Sequence, residues 1–293
     1  MNKLYGTGVA LITPFTATGA VDYPAWQRLL DFIIEGGAEY LVINGTTGES
    51  PTTTAAEKTE LLRLAKAHVA GRVPLVYGLG GNDTAAVERQ LHEADLEGIT
   101  AILSASPAYN KPSQAGLLAH YQRLAAAAPR PLLLYNVPGR TGSNITAATT
   151  LALAAHPNII GIKEASGNVE QGLQILAQKP ADFLFLSGDD MLTVPLIACG
   201  AVGIITVLGN AFPRRFSDMT RAALAGDYAR AQRALWQFVA LNPLMYEEGN
   251  PVGVKAALAL QGICEPAVRL PLVPASAGLT ARIKALLQAA SDR

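Results

Sequence analysis

Cysteine, net charge and long apolar runs are what this sequence has least of, and each shortage narrows the field. Only two cysteines occur in 293 residues, Cys199 and Cys264, far apart and in no C-x-x-C spacing. No disulfide framework is expected, and a reducing compartment fits. Lys+Arg and Asp+Glu number 23 each, so the formal net charge is zero. A nucleic-acid partner, which asks for a basic excess or a basic run, is not expected. No run reaches the roughly 18 consecutive apolar residues of a membrane span. The start, Met1-Asn2-Lys3-Leu4-Tyr5-Gly6, lacks the apolar segment of a signal peptide. A soluble, cytoplasmic protein is the expectation. Histidine is scarce too. His68, His92, His120 and His156 fall in or at the ends of helical segments, with no H-x-H or H-E-x-x-H spacing, so neither a metal nor another cofactor is expected. Gly78-Leu79-Gly80-Gly81 lacks the Lys-Ser/Thr of a phosphate loop and reads as a turn.

What the sequence does have is apolar residues, 50% of the chain, laid out in a repeating order. Short apolar runs predict strands at Val9–Ile12, Tyr40–Ile43, Pro74–Tyr77, Ile99–Leu103, Pro131–Tyr135, Ile159–Ile162, Phe183–Leu186 and Val202–Ile205. Between them lie segments with apolar residues three or four apart, such as Trp26–Glu35, Ala55–Ala70, Ala85–Leu96 and Gln114–Ala127. Eight near-continuously apolar runs alternating with helical segments predict an α/β fold, a (β/α)₈ barrel whose strands are buried on both faces. A doubly wound open sheet is the alternative. After a helix at Pro213–Leu224 only helical patterns follow, at Tyr228–Leu241, Val252–Leu260 and Ala277–Ala290. The expected division is a barrel over 1–225 and a C-terminal helical appendage over 226–293.

In such a barrel the chemistry lies where the strands end. Strand six runs Ile159-Ile160-Gly161-Ile162-Lys163-Glu164. A lysine there has two readings: an ammonium reaching solvent beside Glu164, or an amine against apolar walls, which favour the neutral form that attacks a ketone. Strand five, Leu132-Leu133-Leu134-Tyr135-Asn136-Val137-Pro138-Gly139-Arg140, tilts the balance to the second. Tyr135 ends the neighbouring strand, and a phenol can relay the protons that imine formation moves. Arg140, in a Gly-flanked loop, suits a substrate carboxylate. Strand two ends in Asn44-Gly45-Thr46-Thr47-Gly48-Glu49, where free amides and two hydroxyls suit an anion. The loop after strand four, Ser106-Pro107-Ala108-Tyr109-Asn110-Lys111-Pro112, presents a second tyrosine. Asp189-Asp190 reads as an N-cap and first-turn pair rather than a metal site.

Taken together, Gly45-Thr46-Thr47-Gly48-Glu49, Tyr135-Asn136-Val137-Pro138-x-Arg140-Thr141-Gly142 and Gly161-Ile162-Lys163-Glu164-Ala165 resemble the 4-hydroxy-tetrahydrodipicolinate synthase family. The likeness runs from Gly6-Thr7-Gly8-Val9 to Arg269-Leu270-Pro271-Leu272. It implies a (β/α)₈ barrel with a C-terminal helical region, a homotetramer, and condensation of pyruvate with L-aspartate 4-semialdehyde in lysine and diaminopimelate synthesis. It further implies Lys163 as the imine-forming residue and Tyr135 as proton donor and acceptor. Thr46 would link Tyr135 to Tyr109, the latter entering from a neighbouring subunit. Thr47 and the backbone at Ile205 would hold the pyruvate part, and Arg140 the carboxylate of the semialdehyde.

The sequence departs from the family pattern in two places. A Tyr-Tyr-Asn is Ala108-Tyr109-Asn110 here, so only the relay tyrosine is kept. The tail motif Asn-Pro-x-Pro-x-Lys reads Asn250-Pro251-Val252-Gly253-Val254-Lys255, a change expected to leave the catalytic residues alone. The resemblance also implies loss of feedback by L-lysine. Ala108 replaces an aromatic wall, Ala86 an acid and Lys58 a histidine around the effector. Sister pyruvate lyases, such as N-acetylneuraminate lyase and 4-hydroxy-2-oxo acid aldolases, share the barrel and the lysine but generally lack Arg140. A non-catalytic 2-oxo-acid sensor would need no proton relay.

Overall fold

The computed structural model describes residues 2–291; Met1, Asp292 and Arg293, at the ends of the two expected units, lie outside the described residues. In chain order the first half runs β1 Gly6–Ala10, α1 Tyr23–Glu35, β2 Tyr40–Ile43, α2 Ala55–Val69, β3 Leu75–Gly78, α3 Thr84–Glu93, β4 Ala101–Ala105 and α4 Gln114–Ala127. The second half runs β5 Leu132–Asn136, α5 Pro138–Thr141, α6 Ala147–Ala154, β6 Ile159–Glu164, α7 Val169–Gln178, β7 Leu184–Ser187, α8 Thr193–Ala198, β8 Gly203–Thr206 and α9 Pro213–Leu224. Four helices follow: α10 Tyr228–Trp236, α11 Leu241–Tyr246, α12 Val252–Leu260 and α13 Ala277–Ser291. Every strand pairs in parallel with its neighbours, and β8 returns to β1. The sheet is therefore a closed barrel, not the open doubly wound alternative.

Strand alternation sorts the core into two layers. Tyr40, Val42, Leu133, Tyr135, Leu186 and Ile205 pack together inside the barrel. Leu41, Ile43, Leu132, Leu134 and Phe185 face the surrounding helices. Tyr40 spans the interior and donates to the Ile204 carbonyl at 3.0 Å. Its ring lies against β1 where a Cβ on Gly8 would come within 2.1 Å, so only glycine fits there.

That crowding explains one displaced boundary. The expected Val9–Ile12 strand is found at Gly6–Ala10, because the register with β8 runs from Gly6 to Val9. Gly6 and Gly8, poor strand formers, are kept in the ladder because the side chains of Glu39 and Tyr40 fill the space a Cβ would need. The tail differs too. The expected Tyr228–Leu241 helix stops at Trp236, and α11 follows as a separate element. The intervening turn buries Phe238 against Phe212 and Phe216, with ring centroids 5.8 and 5.4 Å away. Among the described residues no helix is long and apolar enough to cross a membrane.

Candidate active site

Register decides what the strand ends present. Lys163 on β6 is paired with Tyr135 on β5 and with Leu186 on β7. The lysine is 4% exposed, and its Nζ lies 4.4 Å from the centroid of the Tyr135 ring. Gly188, just past β7, makes this placement possible: a Cβ there would stand 3.0 Å from Lys163 Cε and 2.6 Å from the Ala165 Cβ. Amine, phenol ring and apolar walls thus occupy one place at the carboxyl face.

The other reading of Lys163, a partner for Glu164, fails for a geometric reason. Successive residues of a strand face opposite sides. Glu164 points away and pairs in register with Asn136, whose Nδ2 donates to it at 3.0 and 3.2 Å. The same carboxylate accepts from the Ser166 amide at 2.7 Å and Gln171 Nε2 at 3.0 Å. It ties β5, β6 and α7 together behind the lysine.

A cavity of about 490 Å³ opens at the carboxyl ends of β2 to β5, lined by Asn44, Thr46, Tyr77, Leu103 and Tyr135 and extending to Lys58. Burial draws the Lys58 ammonium below the ordinary lysine range. Thr46 opens a 3₁₀ turn, Thr46–Gly48, after Gly45. Left-handed residues bracket this turn, Asn44 at φ 59° and Glu49 at φ 54°. Asn44 is held by its Nδ2–H to the Gly78 carbonyl at 2.8 Å. Thr47 is buried, and its Oγ1 accepts from Asn250 Nδ2 at 3.1 Å.

Ile205 is wholly buried inside the barrel. Past it, Asp190 accepts from the amides of Val207 and Leu208 at 3.3 and 2.9 Å, and Asn210 Nδ2 donates to the Ala10 carbonyl at 2.8 Å. Asp189 caps the short helical turn, as expected, but Asp190 does more, bracing β7 to the exit of β8. Burial raises the Asp190 carboxyl above the usual range, and the phenol of Tyr246, reaching in from α11, donates to it at 3.4 Å.

Arg140 and Tyr109 do not line this cavity. Arg140 is exposed on α5, and Tyr109 is 90% exposed. Tyr109 holds φ 72°, and its amide donates to the Thr141 carbonyl at 3.3 Å. A buried hydroxyl cluster joins the two segments: Ser106 Oγ to Thr141 Oγ1 at 3.2 Å and Ser143 Oγ to the Pro107 carbonyl at 2.8 Å. Within one chain the geometry brings Lys163, Tyr135 and Thr46 to the mouth of the barrel and leaves Tyr109 outside it. Among the described residues no cluster of His, Cys, Asp and Glu could hold a metal ion.

Residues 3–290 match the model of the dihydrodipicolinate synthetase family. The chain belongs to that family. A 4-hydroxy-tetrahydrodipicolinate synthase from Cytophaga hutchinsonii is 52% identical over 284 residues, covering 97% of this chain and 96% of that protein. One of the same name from Phocaeicola vulgatus is 50% identical over 286 residues, covering 97% and 96%. Among solved structures, dihydrodipicolinate synthase from Aquifex aeolicus superposes with a TM-score of 0.94 at 37% identity, covering 98% of both chains. For the Thermotoga maritima enzyme the values are 0.95 and 33%, again covering 98% of each chain.

Against the family motifs, sequence reasoning missed the contribution of the tail. The one altered position of the tail motif, Gly253, packs against the Leu244 carbonyl, where a Cβ would stand 2.2 Å away, whereas the kept Asn250 touches Thr47 and the kept Lys255 pairs with Glu49 at 2.5 Å. No local signal marks contacts across some 200 residues. The Asn136–Glu164 pair, by contrast, was available: if 135 and 163 pair across parallel strands, so do 136 and 164, on the opposite face.

Proposed function

We infer that Lys163 is the residue through which this chain, a 4-hydroxy-tetrahydrodipicolinate synthase, forms a Schiff base with pyruvate before condensing it with L-aspartate 4-semialdehyde. The product commits carbon to lysine and diaminopimelate. The observation that carries the assignment is a buried amine, walled by Leu186, against the Tyr135 ring. The neutral amine attacks C2 of pyruvate, and the carbinolamine oxygen leaves as water after taking a proton. Tyr135 gives that proton and is restored by one taken from the attacking nitrogen, with Thr46 beside it in the cavity and Tyr109 of a neighbouring subunit completing the relay. Loss of a methyl proton turns the imine into an enamine, whose carbon attacks the aldehyde of the second substrate. The amino group of that substrate then attacks the imine carbon and frees Lys163, closing the ring.

Thr47 and the backbone at Ile205 hold the pyruvate carboxylate and carbonyl region, while Arg140 receives the carboxylate of the semialdehyde. The barrel over 1–225 carries these groups, and the appendage over 226–293 braces them. Tyr109 acting outside its own chain asks for at least a dimer, and the family likeness extends that to a homotetramer built as a dimer of dimers. The deciding experiment is borohydride reduction with pyruvate, which should add mass to one peptide, that containing Lys163. Labelling of another lysine sinks the mechanism. The same reading makes the enzyme indifferent to L-lysine. Lys58 places a cation in the cavity, and Ala86 and Ala108 offer neither acid nor ring. Initial rates should stay flat on lysine titration; partial inhibition at low lysine would refute this.

A further inference from the structure

A buried ion pair joins the C-terminal helices to the turn that carries Thr46 and Thr47. Lys255 on α12 is fully buried, and its Nζ lies 2.5 Å from Glu49 Oε1. The same ammonium donates to the Ala267 carbonyl at 2.8 Å and sits 4.2 Å from the centroid of Phe15. The second Glu49 oxygen accepts from the Arg269 amide at 3.0 Å. Both carboxylate oxygens are thus committed to the tail. Glu49 also occupies the left-handed region, which a non-glycine side chain keeps only when its surroundings impose it. Asn250, from the same tail, donates to the Thr47 hydroxyl, and its own Oδ1 is enclosed without a hydrogen-bond partner.

A buried ion pair is a poor device for stability, because desolvation offsets most of the attraction. Burial draws Lys255 below the ordinary lysine range although Glu49 opposes the shift. Geometry is the better explanation for keeping it. We propose that Glu49, Lys255 and Asn250 are positioning residues for pyruvate capture: the pair locks the bend that ends the Gly45–Glu49 turn, and Asn250 orients the Thr47 hydroxyl toward the substrate. This rests on Thr47 being a pyruvate contact.

Two variants test it. Asn250→Ala removes one hydrogen bond, and the double variant Glu49→Gln/Lys255→Met removes both charges together, so no lone charge is left buried. Borohydride trapping at Lys163 is followed against pyruvate concentration, alongside steady-state rates and thermal midpoints. Asn250→Ala should raise the pyruvate half-saturation roughly three- to tenfold, a larger change than the fall in kcat. The double variant should shift it in the same direction at temperatures well below its melting. If the double variant does not fold, Asn250→Ala alone decides. Half-saturation unchanged in the folded variants, with only the thermal midpoint lowered, overturns the proposal alone. A wild-type chain that pyruvate and borohydride do not label at Lys163 overturns the functional reading and this one with it.

Discussion

Arg140 stands in water on the short helix after β5, so its worth depends on what reaches it. A solvated arginine adds little to stability, because an exposed charge already has its hydrogen bonds from water. A carboxylate brought to it by a substrate tethered at Lys163 is different, since the partner arrives already positioned. Replacing Arg140 by alanine should therefore leave the melting temperature nearly unchanged. It should cost roughly 2–3 kcal/mol in kcat/KM for the semialdehyde, about 30- to 150-fold, while pyruvate trapping persists. Unchanged semialdehyde kinetics would remove the role. Single residues were the most legible scale. Lys163, Tyr135 and Thr46 are each polar at the end of an apolar run, where a barrel puts its chemistry. Arg140 was legible only as a loop cation, because nothing in a loop sequence says what faces it.

At the level of elements, strands and helices follow from periodicity, and the joints between them do not. Helix α2 shows both. Its N-cap is written in the sequence: Thr54 accepts from the Glu57 amide, and Glu57 returns the bond to Thr54. The second duty of Glu57 is not written there. Its carboxylate also takes two bonds from Arg269, at 2.5 and 2.8 Å, clamping the tail onto the start of α2. The Arg269 hydrogen bonds hold Glu57 down at about 2 against an ordinary 4.5. A carboxyl depressed on folding contributes stability that is fully present above pH 4.5 and is lost as pH falls through 2. At a partly solvated site that contribution is on the order of 1 kcal/mol. The thermal midpoint of the wild-type chain should thus fall between pH 4.5 and 2 more steeply than that of Glu57→Gln. Parallel curves would show the clamp to be energetically idle.

For the whole molecule, the telling residue is one that the single chain leaves in solvent. Tyr109 is 90% exposed and held at φ 72°, a conformation that costs a bulky side chain on the order of 1–3 kcal/mol. The buried Ser106, Thr141 and Ser143 hydroxyls keep that loop in place. A rigid, strained loop displaying a bare phenol makes sense if the ring enters a second copy of the chain. Tyr109→Phe should fold and assemble normally, yet lose activity by on the order of 100-fold, the scale of a lost proton transfer. Complementation then separates a shared site from a private one. In a mixed dimer of Tyr109→Phe with Lys163→Met, one site joins an intact lysine from the first chain to an intact tyrosine from the second. Two nearly inactive preparations, mixed and allowed to exchange subunits, should recover up to about a quarter of wild-type activity, since half of the dimers are mixed and each carries one complete site. A mixture no more active than its parts, or a fully active monomer in sedimentation, would mean that Tyr109 serves its own chain by a movement of the loop.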